Sequence, residues 1–305
     1  MSIRFDRPVS HVAYASRAVA AFSLVLCLLA LLGHRFGPLA TPYMVLFLLV
    51  AGALALLAAL MAVMGLVQLW REGARGGVPA FKALIYAALP LALVGFAGAR
   101  YVMLPTIFDV STDTVDAPQW LAMPDAPQIW LPRDMAITAR ERAEQEEAYP
   151  ALTGRRYEGA SDRVIEAVRK VAKQSGIRIV KTSGGEAGGP DVDEKPKRRQ
   201  DKDGNAPVTD APDLVVPVPT PRPLSDEVAA LIRHNTDVTL QGEKRTLILG
   251  LNFDVLIRLR EESETTLVDI RVASRYGPHD LGFSAAIAED YLKALDAELL
   301  GIAGG

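Results

Sequence analysis

Arginines and aspartates interleave through one short stretch of this chain, and they are its best candidates for chemistry. Asp254, Arg258, Asp269, Arg271, Ser274, Arg275 and Asp280 fall within two neighbouring strand-like runs and the turn that follows them. Arg258, Arg271 and Arg275 together could hold a phosphate or carboxylate, because each planar guanidinium offers paired donors to such a group. The interleaved carboxylates offer the competing arrangement, a solvated ion-pair lattice in which each pair contributes about 0–1 kcal/mol. Catalytic patterns are weaker, and no catalytic residue is assigned. Ser274, His279 and Asp280 include the residue types of a nucleophilic triad, but no nucleophile-elbow glycine pattern surrounds Ser274. A loop or capping role for His279 fits better. No His-x-x-x-His pair or carboxylate cluster suggests a metal, and no cofactor motif is present. Cys27, the single cysteine, lies in an apolar run, which excludes an internal disulfide and a Cys-based zinc site.

The elements that must position these residues form a hairpin. Phe253, Val255, Ile257 and Leu259 alternate with Asp254, Leu256, Arg258 and Arg260, and Val268, Ile270 and Val272 mark one face of the returning strand. A symmetric turn over Glu261–Glu264 predicts Arg260 opposite Thr265, Leu256 opposite Asp269, and Asp254 opposite Arg271 as a cross-strand ion pair. Asp280 then follows closely enough to reach Arg275, and is also a suitable N-cap for a last helix whose apolar face is Ile287, Tyr291, Leu295 and Leu299. Thr246 to Arg260 is long enough for a bent strand or two, with Gly250 at the bend.

Further upstream, Ser161 is placed to cap a helix whose apolar face is Val164, Ile165, Val168, Val171 and Ala172, and Ile177 to Thr182 alternates as a strand. From 183 to 225 glycines, mixed charges and prolines predict a disordered insertion, followed by a short helix over Leu224 to Ile232. The basic run Lys195-Pro196-Lys197-Arg198-Arg199 has acidic neighbours and reads as a solvated loop. Leu104 to Pro150 is irregular, with a polar helix or stalk over Met135 to Glu147. Asp109, Ser111, Thr112 and Asp113 are suited to turns that dock a linker.

The first third of the chain is a different material. Three apolar segments, Ala18–Gly33, Tyr43–Trp70 and Ala83–Ala99, read as membrane spans; about 20 residues are needed, and the first is short unless it extends through Arg17. A cleaved signal peptide is the alternative for that segment, but no small-x-small cleavage site follows Leu32. Arg4, Arg7 and Arg17 precede the first segment, and Arg71, Arg75 and Lys82 lie between the second and third. Against them stand Arg35 and Arg100 on the other side. The positive-inside rule therefore predicts a cytoplasmic N-terminus and a C-terminal domain outside, in the periplasm of a Gram-negative cell. No charged residue lies mid-span, which argues against an ion path. Small residues, including Gly52, Gly65, Gly95 and Gly98, are ordinary in such helices.

The expected architecture is a three-helix transmembrane bundle over 1–104, a linker or stalk over 105–160, and a small α+β domain over 161–305, an antiparallel sheet covered by helices. Phe253-Asp254-Val255-Leu256-Ile257-Arg258, and Val268 through Arg275 with Tyr276-Gly277-Pro278-His279-Asp280-Leu281-Gly282, resemble the C-terminal signature of the bacterial family known as domain of unknown function fourteen-ninety-nine. Asp109-Val110-Ser111-Thr112-Asp113-Thr114 and Tyr149-Pro150 resemble its opening motif. The resemblance runs from about Thr106 to Leu295 apart from the insertion. It implies a membrane-anchored bacterial protein and brings no activity with it. Val272 replaces a usual serine, and Ser284 stands where asparagine is common.

The functional expectation is an integral inner-membrane protein. Its periplasmic domain binds an anionic envelope ligand, lipid headgroup or partner protein through the arginine-bearing face. A formal charge of −3 provides no footprint for nucleic acid. The alternative is an enzyme acting on an envelope lipid or polymer. That reading needs a deep apolar pocket ending at Asp269 or His279.

Overall fold

The computed structural model describes residues 8–123, 126, 128–133, 136–184 and 237–301. The short helix expected over Leu224–Ile232, and the expected insertion from residue 185 onward, lie outside the described residues. Three helices come first: α1 (His11–Phe36), α2 (Thr41–Glu72) and α3 (Gly77–Met103). Each is long and apolar enough to cross a membrane. The first, short when read from its apolar run alone, begins seven residues earlier, where the Ser10 side chain accepts from the Ala13 amide. Its 26 residues clear the length a bilayer requires.

The bundle packs through small side chains. Ala13, Ala20, Ala55, Ala58, Ala62, Ala80, Ala83 and Ala87 form its buried seam. Gly52 and Gly65 serve this contact, since a Cβ would sit 2.7 Å from Val94 and 2.7 Å from Ala13 respectively. At one end the N-terminal segment and the α2–α3 loop zip together: Ser10 N donates to Arg75 O at 3.0 Å and Arg75 N to Pro8 O at 2.7 Å. The remaining domain sits at the opposite end.

That domain contains β1 (Asp109–Ser111), α4 (Ala139–Ala148), β2 (Arg155–Glu158), α5 (Ser161–Gln174), β3 (Ile177–Ser183), β4 (Val238–Arg245), β5 (Asn252–Glu261), β6 (Thr265–Ser274) and α6 (Phe283–Leu299). The strands form one antiparallel sheet in the order β1-β6-β5-β4-β3, and β2 also pairs with β6. Alternation puts Phe253, Val255, Ile257, Leu259, Val268, Ile270 and Val272 on one face. There they pack against Val164, Val168 and Val171 of α5 and Ile287, Tyr291, Leu292 and Leu295 of α6.

The sheet extends further than the sequence reading. Two strands, β1 and β2, lie in the stretch read as linker, and β4 was not anticipated. Residues 246–250 form a turn between β4 and β5, and Gly250 adopts φ +72° in it. Ser161 begins α5 without a side-chain capping bond, and Ala160 occupies the N-cap.

Candidate functional site

The β5–β6 register differs from the predicted one by two residues. Asp254 faces Ala273, Leu256 faces Arg271, and Arg258 faces Asp269. The turn centres one residue later than expected, closed by Glu262 N donating to Thr265 O at 2.8 Å and by Thr265 Oγ1 donating to Glu262 at 3.1 Å. Face identity survives an even shift, but every partner changes. The predicted Asp254–Arg271 pair is therefore replaced by two others.

Arg275 holds Asp254 through Nε at 3.1 Å and Nη2 at 2.7 Å, and Nη2 also donates to Glu243 on β4 at 2.7 Å. Arg271 holds Asp109 on β1, with Nε at 3.0 Å from Oδ2, and its Nη1 donates to Pro118 O at 2.7 Å. Arg258 gathers three carboxylates: Asp269 at 2.9 Å, Asp113 at 3.0 Å and Asp116 at 3.0 Å.

This face is not open to solvent. Asp254, Arg258 and Asp269 are buried. The cover is the segment from Thr112 onward, an ion-paired strap. Thr112 Oγ1 donates to Asp269 and accepts from Ile270 N. Asp113 and Asp116 reach Arg258, and Asp116 also takes Arg260 at 2.9 Å. Trp120 lies over the Arg271 guanidinium, 4.9 Å from its ring centre. Ala122 exchanges two backbone bonds with the Gln241 amide. The segment around 128–133 returns to the end of β6, where Gln128 and Arg133 donate to the carbonyls of Arg275 and Ser274.

The strap's far end is α4. Thr138 and Glu141 form a reciprocal capping box. Gln145, expected on a polar stalk, is instead buried, and its amide pairs with both the N–H and the C=O of Ser111. It thereby closes the open edge of β1. Arg142 adds a bond to Asp109 at 3.3 Å. Gly154 is needed for close approach, because a Cβ there would meet Asp269 Oδ1 at 2.6 Å.

Electrostatics follow from these contacts. Burial opposes the Arg275 charge, but the Asp254 and Glu243 carboxylates more than offset it and raise its pKa. Hydrogen bonds from Arg275 and Arg178 hold the Glu243 carboxyl below its usual value. Burial pushes Asp116 upward, and its bonds to Arg260 and Arg258 outweigh that and leave it lowered. Burial lowers Arg133 and Arg142.

Of the seven predicted site residues, five join this network: Asp254, Arg258, Asp269, Arg271 and Arg275. Ser274 lies opposite Phe253, on the helix-covered side, with its hydroxyl donating to Tyr276 O at 3.0 Å. Asp280 does not reach Arg275. Its carboxylate accepts from Gly282 N and Ser284 N at 2.7 Å each and so caps α6 from two residues before the N-cap. His279 accepts from Leu281 N, approaches Leu104 O at 3.2 Å and stacks on Tyr101. This ring joins the domain to the end of α3. Of the two family departures, Val272 is a core residue, and the buried Ser284 hydroxyl has no partner among the described residues.

One cavity lies at the site and another in the helical bundle. The first, of about 210 Å³, opens where the strap leaves the sheet, lined by Met123, Lys181, Gln241, Glu243, Asp254 and Arg275 among others. The other, about 460 Å³, is apolar and lies between α1 and α2. Neither ends at Asp269 or His279, so the pocket that the enzyme reading needs is not among them.

Fold and site define a class: a three-helix membrane anchor carrying an antiparallel α+β domain whose polar sheet face is sealed by its own N-terminal strap. Within that class, residues 111–295 match the family described as Protein of unknown function (DUF1499), and the chain belongs to it. No curated protein and no solved structure matches the chain.

Proposed function

We propose that this is a multi-pass protein of a bacterial inner membrane, with a cytoplasmic N-terminus, a periplasmic α+β domain and a binding rather than catalytic role. Its ligand is the anionic headgroup of an envelope lipid, taken at the cleft beside Lys181 and Arg275. The orientation rests on Arg71 and Arg75 lying at the bundle end opposite the domain, where Arg75 is zipped to Pro8 and Ser10.

The observation that carries the ligand reading is the height of the cleft. Arg245, at the end of β4, donates to His34 O on the last turn of α1 at 2.6 Å. Glu243 and Asp254 in the cleft lie two residues before Arg245 and four after Gly250. A strand rise of about 3.3 Å puts the cleft roughly 7–13 Å above the span's end, within reach of headgroups. Both Nη groups of Arg258 are taken by aspartates, and Arg271 is held by Asp109 and the Pro118 carbonyl. Arg275 keeps Nη1 without a partner among the described residues, beside the exposed Lys181.

Native mass spectrometry of the full-length protein with phosphatidylglycerol or phosphatidylethanolamine tests the reading. Preferential retention of phosphatidylglycerol, lost in Lys181→Glu at unchanged melting temperature, is the expected result. Equal retention of both lipids, or a preference that survives Lys181→Glu, would sink it. For orientation, a periplasm-dependent reporter fused after Gly305 is expected to be active; an expressed but inactive fusion refutes the topology.

A further inference from the structure

The β4–β5 turn has an unusual composition. Turns are normally built from Gly, Pro, Asn, Asp and Ser, which supply the required geometry and tolerate water. Here the connection is Thr246-Leu247-Ile248-Leu249-Gly250, with three consecutive aliphatic residues. Its base is well closed: Gly250 N donates to Thr246 O at 3.1 Å, and Leu251 N to Thr246 Oγ1 at 2.9 Å. That closure leaves Leu247 and Ile248 projecting, 85% and 86% exposed. Adjacent exposed aliphatics at a tip are a solubility error unless something covers them.

Their position identifies the cover. Arg35 Nε donates to Leu247 O at 3.1 Å, Arg245 Nη2 donates to His34 O, and His34 Nε2 lies 3.1 Å from Gly250 O. The tip is therefore fastened to the last turn of α1, where that span ends. Phe36 on the same turn is 80% exposed, and Val102 and Met103, at the same end of α3, are 84% and 82% exposed. The apolar surface of the bundle thus continues onto the tip. Arg35 and Arg245 flank it, as cations flank apolar segments that enter a bilayer and reach toward the headgroups.

We infer that the β4–β5 turn is a fourth, non-spanning membrane contact. Leu247 and Ile248 insert among the lipid chains of the leaflet in which α1 ends, and they fix the height and tilt of the domain. The inference goes beyond headgroup binding and does not involve Lys181, so the two readings fail separately.

Site-directed spin labelling of the full chain in lipid nanodiscs of phosphatidylethanolamine and phosphatidylglycerol tests it. Leu247→Cys in a Cys27→Ala background is labelled, and collisions with oxygen are compared with those of a water-soluble nickel chelate. Val115→Cys, at a 96% exposed position next to Asp116 and so beside Arg260 near the far end of β5, is the aqueous reference. Oxygen collisions several-fold above nickel at 247, and the reverse at 115, are expected. Nickel accessibility at 247 equal to that at 115 overturns the inference. So does an immobile label shielded from both reagents, which indicates a protein partner or second copy on the tip. Ile248→Cys, read in the same way, decides the matter if the first label disturbs the turn.

Discussion

The two faces of the sheet are both buried, by opposite means. One is covered by α5 and α6 through aliphatic contacts that need no particular partner, only volume and alternation. The other is covered by the strap through charge pairs, each of which needs one named residue opposite another. An apolar face tolerates small shifts in what packs on it. A buried ionic face does not, because a carboxylate or guanidinium that loses its partner keeps the full cost of desolvation.

The largest expected effect separates the two. Arg258→Ala removes the ion-pair partner of Asp113 and of the buried Asp269 and one of the two held by Asp116, and a loss of about 3–5 kcal/mol is expected. Leu292→Ala on α6 leaves a cavity instead, with an expected loss of about 2–5 kcal/mol. Denaturation of the full-length variants measures both. Rescue distinguishes them: Arg258→Met with Asp269→Leu removes the one deeply buried stranded charge, since Asp113 and Asp116 retain water contact. Most of the loss is then expected to return, as buried pairs are often replaceable by apolar residues of similar volume. A double variant no better than Arg258→Ala alone would mean that the pair does more than neutralise charge.

That difference also explains what the sequence revealed. Period-two alternation at Phe253, Val255, Ile257 and Leu259 identified the apolar face, because burial against helices needs only that pattern. Membrane spans were legible for the same reason. The polar residues of β5 and β6 were placed on the correct face, apart from Ser274, but their partners were not. A one-residue displacement of the turn, fixed locally by Glu262 and Thr265, moved every pairing by two. Asp109 and Asp113 carried a turn-forming signal and a family motif, neither of which names a partner. Nothing in the local sequence ties Asp113 to Arg258, 145 residues away. Gln145 and Glu243 were missed for that reason, and Leu247 to Leu249 looked like strand because periodicity does not reveal which apolar residues stay exposed.

Acid should loosen the strapped face before the helical one. The Glu243 and Asp116 carboxyls are held below their ordinary values of 4.5 and 3.8, so their protons bind more weakly in the folded protein. The stability they contribute is complete above those ordinary values and is lost as pH falls through the lowered ones. Hydrogen exchange followed across this window is expected to show residues 112–122 losing protection below about pH 3.8, the ordinary value of Asp116, while α6 keeps its own. Trp120, stacked on Arg271, should report the same event by increased quenching with acrylamide. Simultaneous loss in the strap and α6 would show that the two faces unfold as one unit.

The smallest expected effect asks how tightly the strap's far end is coupled to its middle. A helix as short as α4 is marginal by itself. Its start depends on the Thr138–Glu141 capping box, and its position depends on Gln145 and Arg142 docking onto β1 and Asp109. Thr138→Ala removes the cap without touching either docking residue, and a cost of about 1 kcal/mol is expected. If the strap is held pair by pair, that cost stays local: exchange quickens within α4, while Trp120 quenching and the acid response of 112–122 remain as in the unaltered protein. If fraying at Thr138 also exposes Trp120, the ion pairs at Arg258 and Arg271 depend on α4 for their geometry. The polar face would then be a single cooperative lock rather than a row of independent contacts.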